Sequence, residues 1–200
     1  YQIILDLLRQ YQVTPAVISI VSKYLSFPDH NKSGKGMVAG GALSPLIGAL
    51  YLMPLDKLME DLQATTGIRY QRYMDDYVIF APTRHKLRKA IKQMYAVLDD
   101  LKVEVHPKKR FIGTTRRGFD FLGYWLEPHK PLTPSQVSLT RLIDRSRQLL
   151  ERTASIARLW QYVRRWLQWH HSGLRGLTTK SSSLECFYRY VTKALKVRSD

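Results

Sequence analysis

Residues 68–81 read Ile68-Arg69-Tyr70-Gln71-Arg72-Tyr73-Met74-Asp75-Asp76-Tyr77-Val78-Ile79-Phe80-Ala81. Two alternating runs, Ile68 to Met74 and Tyr77 to Ala81, flank the paired aspartates, and this pattern predicts a β-hairpin. Adjacent carboxylates repel each other, and along a straight strand they point to opposite faces. At a tight turn both can point to one edge, where a cation compensates their charge. Hard oxygen ligands of this kind suit Mg²⁺, although a solvated Asp-Asp turn explains the dipeptide alone equally well.

The charge of the chain indicates a polyanionic partner. Thirty-two Lys and Arg stand against sixteen Asp and Glu, a net charge of +16, and residues 101–200 hold 20 of the basic and 7 of the acidic side chains. This asymmetry predicts a working domain followed by a nucleic-acid surface. An anionic membrane fits less well, because the basic helices lack a clean lipid-facing side. A structural role of the ribosomal type fits the charge alone.

Cysteine usage and hydropathy exclude several other classes of protein. The single Cys186 excludes a disulfide framework and a cysteine-based zinc site, and it suits a reducing compartment such as the cytoplasm. The sequence shows no apolar run of membrane-spanning length and no signal peptide. We therefore expect no membrane partner.

Hydrophobic periodicity predicts an α+β fold, with strands and helices in residues 1–130 and helices only in 131–200. We expect an antiparallel sheet backed by helices in the first part. The expected elements are two helices parted by Val13-Thr14-Pro15, a helix from Leu46 to Leu62 kinked at Pro54, a helix capped by Thr83, strands at Lys102–Val105, Phe111-Ile112 and Phe119–Leu126, and three helices beginning at Thr133-Pro134, near Ile156 and near Leu184.

Three further segments carry candidate functional residues. A glycine-rich run from Gly36 to Pro45 contains Gly40, Gly41 and Ser44, and its glycines let the backbone approach a base pair or phosphate closely. His106-Pro107-Lys108-Lys109 is a basic turn. Phe119-Asp120-Phe121-Leu122-Gly123-Tyr124 sets Gly123 between bulky neighbours, which suits close backbone approach. Taken singly, these segments are equally typical of a helix start, an ordinary basic turn and plain core.

In this order the four segments resemble the reverse transcriptases of bacteria that are related to group II introns and retrons. The resemblance implies a palm followed by a helical thumb, and RNA-templated DNA synthesis with two Mg²⁺ ions (Mn²⁺ can substitute). It implies an RNA template, a DNA primer or RNA–DNA hybrid, and dNTPs as partners. The implied roles are metal ligation by Asp75 and Asp76, triphosphate contact by Lys109, nucleotide or template contact by Gly36, Gly40, Gly41, Ser44, Tyr73 and Met74, and primer grip by Phe121, Leu122 and Gly123.

The chain also departs from the family pattern. Val38-Ala39 stands where the family has Pro-Gln, so a glutamine contact to the template is not carried over. The family's first metal-binding Asp lies on a strand before a helix like Tyr1 to Arg9, and Asp6 lies on the wrong element to replace it. We therefore expect this chain to be a fragment that lacks the fingers and does not polymerise DNA by itself.

The helical C-terminal part is the expected backbone-binding surface. Between residues 141 and 165 seven arginines stand against two acidic residues, Asp144 and Glu151. Solvated, solubilising charge is the usual role of such side chains, but this excess favours phosphate contacts along an RNA–DNA hybrid. The candidate residues are Arg141, Arg145, Arg158, Arg164 and Arg165. Trp169 is a candidate for base stacking, and His170-His171 is assigned no role.

Two other functions remain open from the sequence. A non-catalytic RNA-binding protein, such as a maturase-like remnant, keeps the arginines and tolerates loss of the metal site. An RNA-templated RNA polymerase shares the palm and the paired aspartates. The residue that screens the ribose 2′-hydroxyl in this family lies beside the absent first Asp, so the sequence does not discriminate between the two sugars.

Overall fold

The computed structural model describes residues 1–26, 41–107, 110–152, 155–172, 174, 177 and 184–195. They form helices and small antiparallel sheets, in agreement with the predicted α+β class. The chain divides into a first unit, Tyr1–Arg110, and a second unit, Phe111–Asp200. Each unit has its own buried core. None of the described helices is both long enough and apolar enough to cross a bilayer.

The first unit combines helices with one hairpin. Its described elements are α1 (Gln2–Gln10), α2 (Pro15–Leu25), α3 (Ser44–Tyr51), α4 (Met53–Thr66), β1 (Arg69–Tyr73), β2 (Asp76–Phe80) and α5 (Arg84–Asp100). The predicted hairpin is confirmed, with Tyr73 opposite Asp76 at its closed end. Pro15 lies in the first turn of α2, where its missing N–H has no partner to lose. Thr83 caps α5 as predicted and accepts from the Lys86 amide at 3.3 Å.

Two predictions for the first unit are wrong. The single helix predicted from Leu46 to Leu62 is two helices that meet at Leu52. Pro54 begins the second helix instead of kinking one, because proline is tolerated in a first turn. The strand predicted at Lys102–Val105 does not form; this segment is a turn followed by irregular chain. Val103 and Val105 pack against the core there, and no described strand pairs with them.

A core between α4, β1 and α5 fixes the hairpin. Its buried members are Leu55, Met59, Leu62, Ile68, Tyr70, Ala90, Met94 and Leu98. Burying a large apolar side chain contributes about 1.5–3 kcal/mol, so several such residues hold β1 firmly to the two helices. A separate cluster joins α1, α2 and α3. The inner face of the hairpin is therefore anchored.

The second unit opens with a small sheet and continues as helices. Its described elements are a 3₁₀ turn (Thr115–Arg117), β3 (Phe119–Phe121), β4 (Tyr124–Leu126), β5 (Thr133–Pro134), α6 (Gln136–Glu151), α7 (Ile156–His171) and α8 (Leu184–Leu195). The three strands form one antiparallel sheet in the order β3-β4-β5. The helices enclose Leu142, Leu159, Val163 and Val191.

The structure corrects the predicted strands of the second unit. The single strand predicted from Phe119 to Leu126 is a hairpin, because Leu122 and Gly123 take positive φ of 52° and 81° and turn the chain. Phe111 and Ile112 form no strand and are exposed. Thr133-Pro134 is the edge strand β5. The first helix begins two residues later, where the Ser135 hydroxyl accepts from the Ser138 amide at 3.2 Å.

The compact second unit begins before the domain boundary predicted near residue 130. The reason is that the β3–β4 hairpin packs on α7: the Tyr124 ring stacks on Trp169 and His170, at centroid distances of 5.7 and 4.9 Å. The Tyr124 hydroxyl also donates to the His170 carbonyl at 2.8 Å. This hairpin therefore belongs to the helical unit by its contacts.

Candidate active site

The closed end of the first hairpin brings two carboxylates to the surface. Tyr73 ends β1, Met74 and Asp75 form the turn, and Asp76 begins β2. Met74 has a φ of 56°, which costs a residue with a Cβ about 1–2 kcal/mol. Both aspartates are exposed, and Tyr73 and Met74 are 59% and 48% exposed. Local backbone strain of this kind concentrates at functional sites.

The strand register separates the hairpin into an inner and an outer face. Cross-strand partners share a face, so Tyr73 and Asp76 lie on the outer side. Arg72 pairs with Tyr77, and this pair lies on the inner side with the buried Tyr70. The sequence Asp75-Asp76 therefore places one carboxylate in the turn and the next on the open face.

The inner face is tied to α4 by an ion pair. The Asp56 carboxylate accepts from Arg72 Nε at 2.7 Å and from the Arg72 terminal nitrogen Nη2. It also accepts from the Tyr70 hydroxyl at 2.8 Å. The hydrogen bond to Asp56 raises the pKa of Arg72. Burial, followed by the contact with Asp56, raises the pKa of Tyr70. Both partners of Asp56 are therefore held in their protonated forms.

The same arginine reaches the turn itself. Arg72 donates from Nη1 to the Met74 carbonyl at 2.7 Å. At the other end of β1, the Tyr70 amide donates to Gln63 Oε1 at 2.7 Å. Helix α4 thus holds β1 at two points, through Asp56 and Gln63. Arg72 connects the first of these points to the turn, because its guanidinium binds both Asp56 and the Met74 carbonyl.

These anchoring residues were not predicted from the sequence, although a signal was present. Alternation along β1 puts Ile68, Tyr70 and Arg72 on one face, and the first two are buried. An arginine that follows two buried residues on the same face needs an acidic partner. Asp56 interrupts the apolar face of its helix and is that partner.

The donor set at the turn fits a cation that takes few protein ligands. In the part of the chain that the structure describes, no group of three or more His, Cys, Asp or Glu is arranged to hold a metal ion. Asp75 and Asp76 offer two exposed carboxylates. Mg²⁺ is bound in proteins by one or two carboxylates together with water and substrate phosphate. The pair fits this mode and does not fit a closed structural metal site.

The glycine-rich run is described only from Gly41 onward. A Cβ on Gly41 would lie 1.9 Å from the Tyr24 hydroxyl of α2, so any other residue there would require the Tyr24 side chain to move. The Ser44 hydroxyl lies 3.2 Å from the same Tyr24 oxygen. Gly36, Gly40 and Lys109 lie outside the described residues, and their roles stay predictions.

The second hairpin presents Phe121, Leu122 and Gly123 at its turn. A Cβ on Gly123 would lie 3.1 Å from the Trp169 ring, and the backbone φ is +81°. The Gly123 carbonyl accepts from the Ser135 amide at 2.9 Å. The turn is therefore packed closely between α7 and the start of α6, and Gly123 is required by that packing and by its own backbone.

Replacing Gly123 by alanine is expected to lower the free energy of unfolding of the second unit by about 1–2 kcal/mol. The cause is the positive φ together with the Trp169 ring. All four tryptophans lie between residues 125 and 169, so tryptophan fluorescence in urea measures this unit. The loss should be smaller in a Trp169→Phe background, because the shorter ring leaves room for the Cβ. An equal loss in both backgrounds would assign the whole effect to the backbone.

The predicted backbone-binding arginines lie exposed on α6 and α7. Helical spacing puts Arg141 and Arg145 on one face of α6. Arg158, Arg165 and Trp169 share a face of α7, and Trp169 is 49% exposed. Arg164 is turned from Arg165 by about 100°. Four of the five arginines therefore form two stripes, and the fifth lies apart from them.

The two stripes belong to neighbouring helices. Burial raises the pKa of Tyr162 on α7, and the nearby positive charge of Arg145 on α6 opposes this shift. A groove of about 660 Å³ runs along α7 and is lined by Arg158, Arg164, Trp160 and Gln161. The surface therefore combines guanidinium groups and an amide, which can donate hydrogen bonds to phosphates, with the ring of Trp160.

Comparison with known proteins gives a family match. Residues 5–126 match the family described as reverse transcriptase (RNA-dependent DNA polymerase). The matched range begins in α1, contains the Asp75-Asp76 hairpin, and ends with the last residue of β4. No curated protein matches the chain.

Proposed function

The chain belongs to the reverse transcriptase family, and on this premise we propose that it forms the palm and thumb of an RNA-directed DNA polymerase. Residues 1–130 form the palm and 131–200 the thumb. The proposed reaction adds dNTPs to the 3′-hydroxyl of a primer on an RNA template. The order and type of the four motifs favour the bacterial branch related to group II introns and retrons.

The observation that carries this proposal is the Asp75-Asp76 turn. It lies within the family match, it is exposed at a hairpin end, and Met74 beside it adopts a φ of 56°. The two adjacent carboxylates repel each other at this exposed hairpin end, and pairing them with a divalent cation compensates their charge.

Different residues of the chain have different proposed roles in nucleotidyl transfer. Asp75 and Asp76 are the proposed ligands of Mg²⁺, or of Mn²⁺ in its place. When bound, two such ions activate the 3′-hydroxyl and stabilise the leaving pyrophosphate. Tyr73 and Met74 lie exposed beside the carboxylates and are the proposed floor for the primer end and nucleotide.

The remaining assignments follow the family pattern. Gly36, Gly40, Gly41 and Ser44 shape the template and nucleotide side, and Lys109 contacts the triphosphate. Phe121, Leu122 and Gly123 position the primer, supported by the close packing of their turn on α7. Arg141, Arg145, Arg158, Arg164 and Arg165 hold the phosphates of an RNA–DNA hybrid, supported by their exposure on two adjacent helices.

Two carboxylates alone are a weak cation site, and we propose that this chain by itself adds nucleotides poorly. The test is primer extension on poly(rA)–oligo(dT) with Mg²⁺ and dTTP. This chain is compared with a version extended by its native upstream coding sequence. Activity only in the extended protein supports a polymerase whose site needs a further carboxylate. Inactivity of both, with hybrid binding retained, contradicts the enzyme proposal.

The second candidate function is RNA binding without catalysis, in the manner of a maturase-like remnant. It is favoured by the net charge of +16 and its concentration in residues 101–200. Cation binding at the turn discriminates between the two candidates. A chain whose Asp75 and Asp76 bind no Mn²⁺, but which holds structured RNA, is a binding protein.

Replacing Arg158 and Arg165 by glutamine is expected to weaken binding to an RNA–DNA hybrid and to reduce the slope of log affinity against log salt concentration by about 2. Each arginine that contacts a phosphate releases about one counterion. The measurement is fluorescence anisotropy of a labelled hybrid over a range of KCl concentrations. The control is Lys89→Gln with Lys92→Gln on α5, where both lysines are exposed. An equal change of slope in both double variants would show that only net charge matters.

A further inference from the structure

The ion pair behind the hairpin is more elaborate than anchoring requires. Arg72 and Asp56 are only 13% and 26% exposed, respectively, and one carboxylate oxygen of Asp56 accepts from both Arg72 and Tyr70. The core of Leu55, Met59 and Ile68 already fixes β1 to α4. The additional polar contacts therefore serve a purpose beyond attaching the strand.

One purpose is visible in the geometry of the turn. Arg72 Nη1 donates to the Met74 carbonyl at 2.7 Å, while two other nitrogens of the same guanidinium are bound by Asp56. A planar guanidinium with two fixed nitrogens has little freedom in the third. Asp56 therefore orients the group that holds the strained Met74 peptide, and with it the residue that precedes Asp75.

A second purpose concerns charge. The Met74 carbonyl belongs to the peptide bond that joins Met74 to Asp75, so a guanidinium that reaches it brings a positive charge to the backbone of the turn. Without Asp56, that charge would oppose the binding of a metal ion at the turn. Asp56 neutralises that cation from the inner face. The turn keeps its full negative charge although an arginine touches its backbone.

We propose that Asp56 is a positioning residue of the cation site: it clamps Arg72, so that the guanidinium holds the Met74 carbonyl and leaves Asp75 and Asp76 free for the cation. The inference rests on the proposed function, because it takes the two aspartates as cation ligands. Asp56 itself touches neither nucleotide nor metal in this role.

The test measures Mn²⁺ alone, by paramagnetic broadening of the backbone amide signals of the chain in NMR. Asp56→Asn leaves Arg72 unneutralised and is expected to raise the Mn²⁺ dissociation constant at the turn by about 5–10-fold. Adding Arg72→Gln removes the freed cation. The double variant is therefore expected to bind Mn²⁺ more tightly than Asp56→Asn, within about threefold of the unmodified chain.

This reversal separates charge compensation by Asp56 from simple destabilisation of the fold. If the pair only stabilises the fold, the double variant binds Mn²⁺ no better than Asp56→Asn, and the proposal is overturned. The control is Asp144→Asn with Arg147→Gln, an exposed pair of α6 with the same charges; its dissociation constant should not change. Asp75→Ala tests the proposed function separately from the role of Asp56. If this variant keeps the Mn²⁺ broadening, Asp75 is not a metal ligand, independently of the result for Asp56.

A milder variant covers the case in which Asp56→Asn does not fold. Arg72→Lys keeps the positive charge but has one donor group in place of the planar fork. We expect faster hydrogen exchange of the Asp75 and Asp76 amides and a dissociation constant for Mn²⁺ raised by about threefold. The Tyr70 amide, held by Gln63, should exchange at its original rate. Unchanged exchange at the turn would contradict the role of Arg72.

Discussion

Replacing Asp75 by alanine is expected to reduce DNA synthesis by more than about 100-fold, because a divalent cation supplies several kcal/mol of transition-state stabilisation. The measurement is primer extension on poly(rA)–oligo(dT), in whichever form of the protein shows synthesis. In the chain itself, the matching expectation is loss of Mn²⁺ broadening at the turn. Affinity for primer–template should stay within a few-fold, since phosphate contacts dominate it.

The chain offers a matched control for Asp75. Asp99 and Asp100 are also adjacent and exposed, but they lie at the end of α5 and not in a hairpin turn. Asp99→Ala removes the same charge from the same unit and should leave both synthesis and Mn²⁺ broadening unchanged. Synthesis retained in Asp75→Ala would remove the metal-ligand assignment. Equal losses in both variants would point to net charge instead of the turn.

The hairpin could be predicted from the sequence because its signals are local. Alternation over residues 68–81 fixes the strand period, and the paired aspartates mark the turn. The apolar helix after Ser44-Pro45 was predicted in position but not in continuity, and of α3 only Ile47 is buried. Its division at Leu52 depends on how Pro54 packs in a first turn, and this depends on tertiary structure.

The ion pair behind the hairpin turn could not be predicted from local patterns in the sequence. Asp56 and Arg72 are sixteen residues apart in sequence, on a helix and a strand whose meeting is set by the apolar core. Each residue is unremarkable alone. The partner of an inward arginine can be chosen among several acids only when the packing of α4 on β1 is known.

The second hairpin is a case in which the local pattern itself was misinterpreted: one strand was predicted where the structure has two. The sequence Phe119 to Leu126 is apolar except for Asp120 and Gly123, and its alternation predicted one strand. Leu122 and Gly123 turn the chain, so the residues after them change face. The aromatic Tyr124 then meets Trp169 and His170 on α7. Glycine after a large residue is compatible with both a strand and a turn, and the packing on α7 decides between them.

The environment of His170 could not be predicted from its place in the sequence. Its side chain is fully buried, and it stacks between Tyr124 and Trp166 at centroid distances of 4.9 and 5.6 Å. Neither ring nitrogen has a hydrogen-bond partner among the described residues. Burial, followed by the charge of His171, lowers the pKa of His170 to about 4. The imidazole is therefore held neutral inside the aromatic cluster.

This shift makes the stability of the second unit depend on pH in a defined window. The pKa of an unfolded histidine is about 6.5, so the unfolded chain binds a proton before the folded chain as the pH falls. Stability is therefore greatest above about pH 6.5 and decreases toward pH 4. Below the folded pKa both states are protonated and the loss levels off. The full loss is about 3 kcal/mol.

Replacing His170 by phenylalanine is expected to remove this loss, because an apolar ring keeps the stack on Tyr124 and Trp166 and binds no proton. Urea unfolding followed by tryptophan fluorescence at pH 7, 5.5 and 4 measures it, since the tryptophans all lie in the second unit. The comparison is made within each variant, so a change of packing affects every pH equally. His85→Gln, which removes an exposed histidine of α5, should keep the full decrease. A decrease of equal size in His170→Phe would assign the acid sensitivity to other groups.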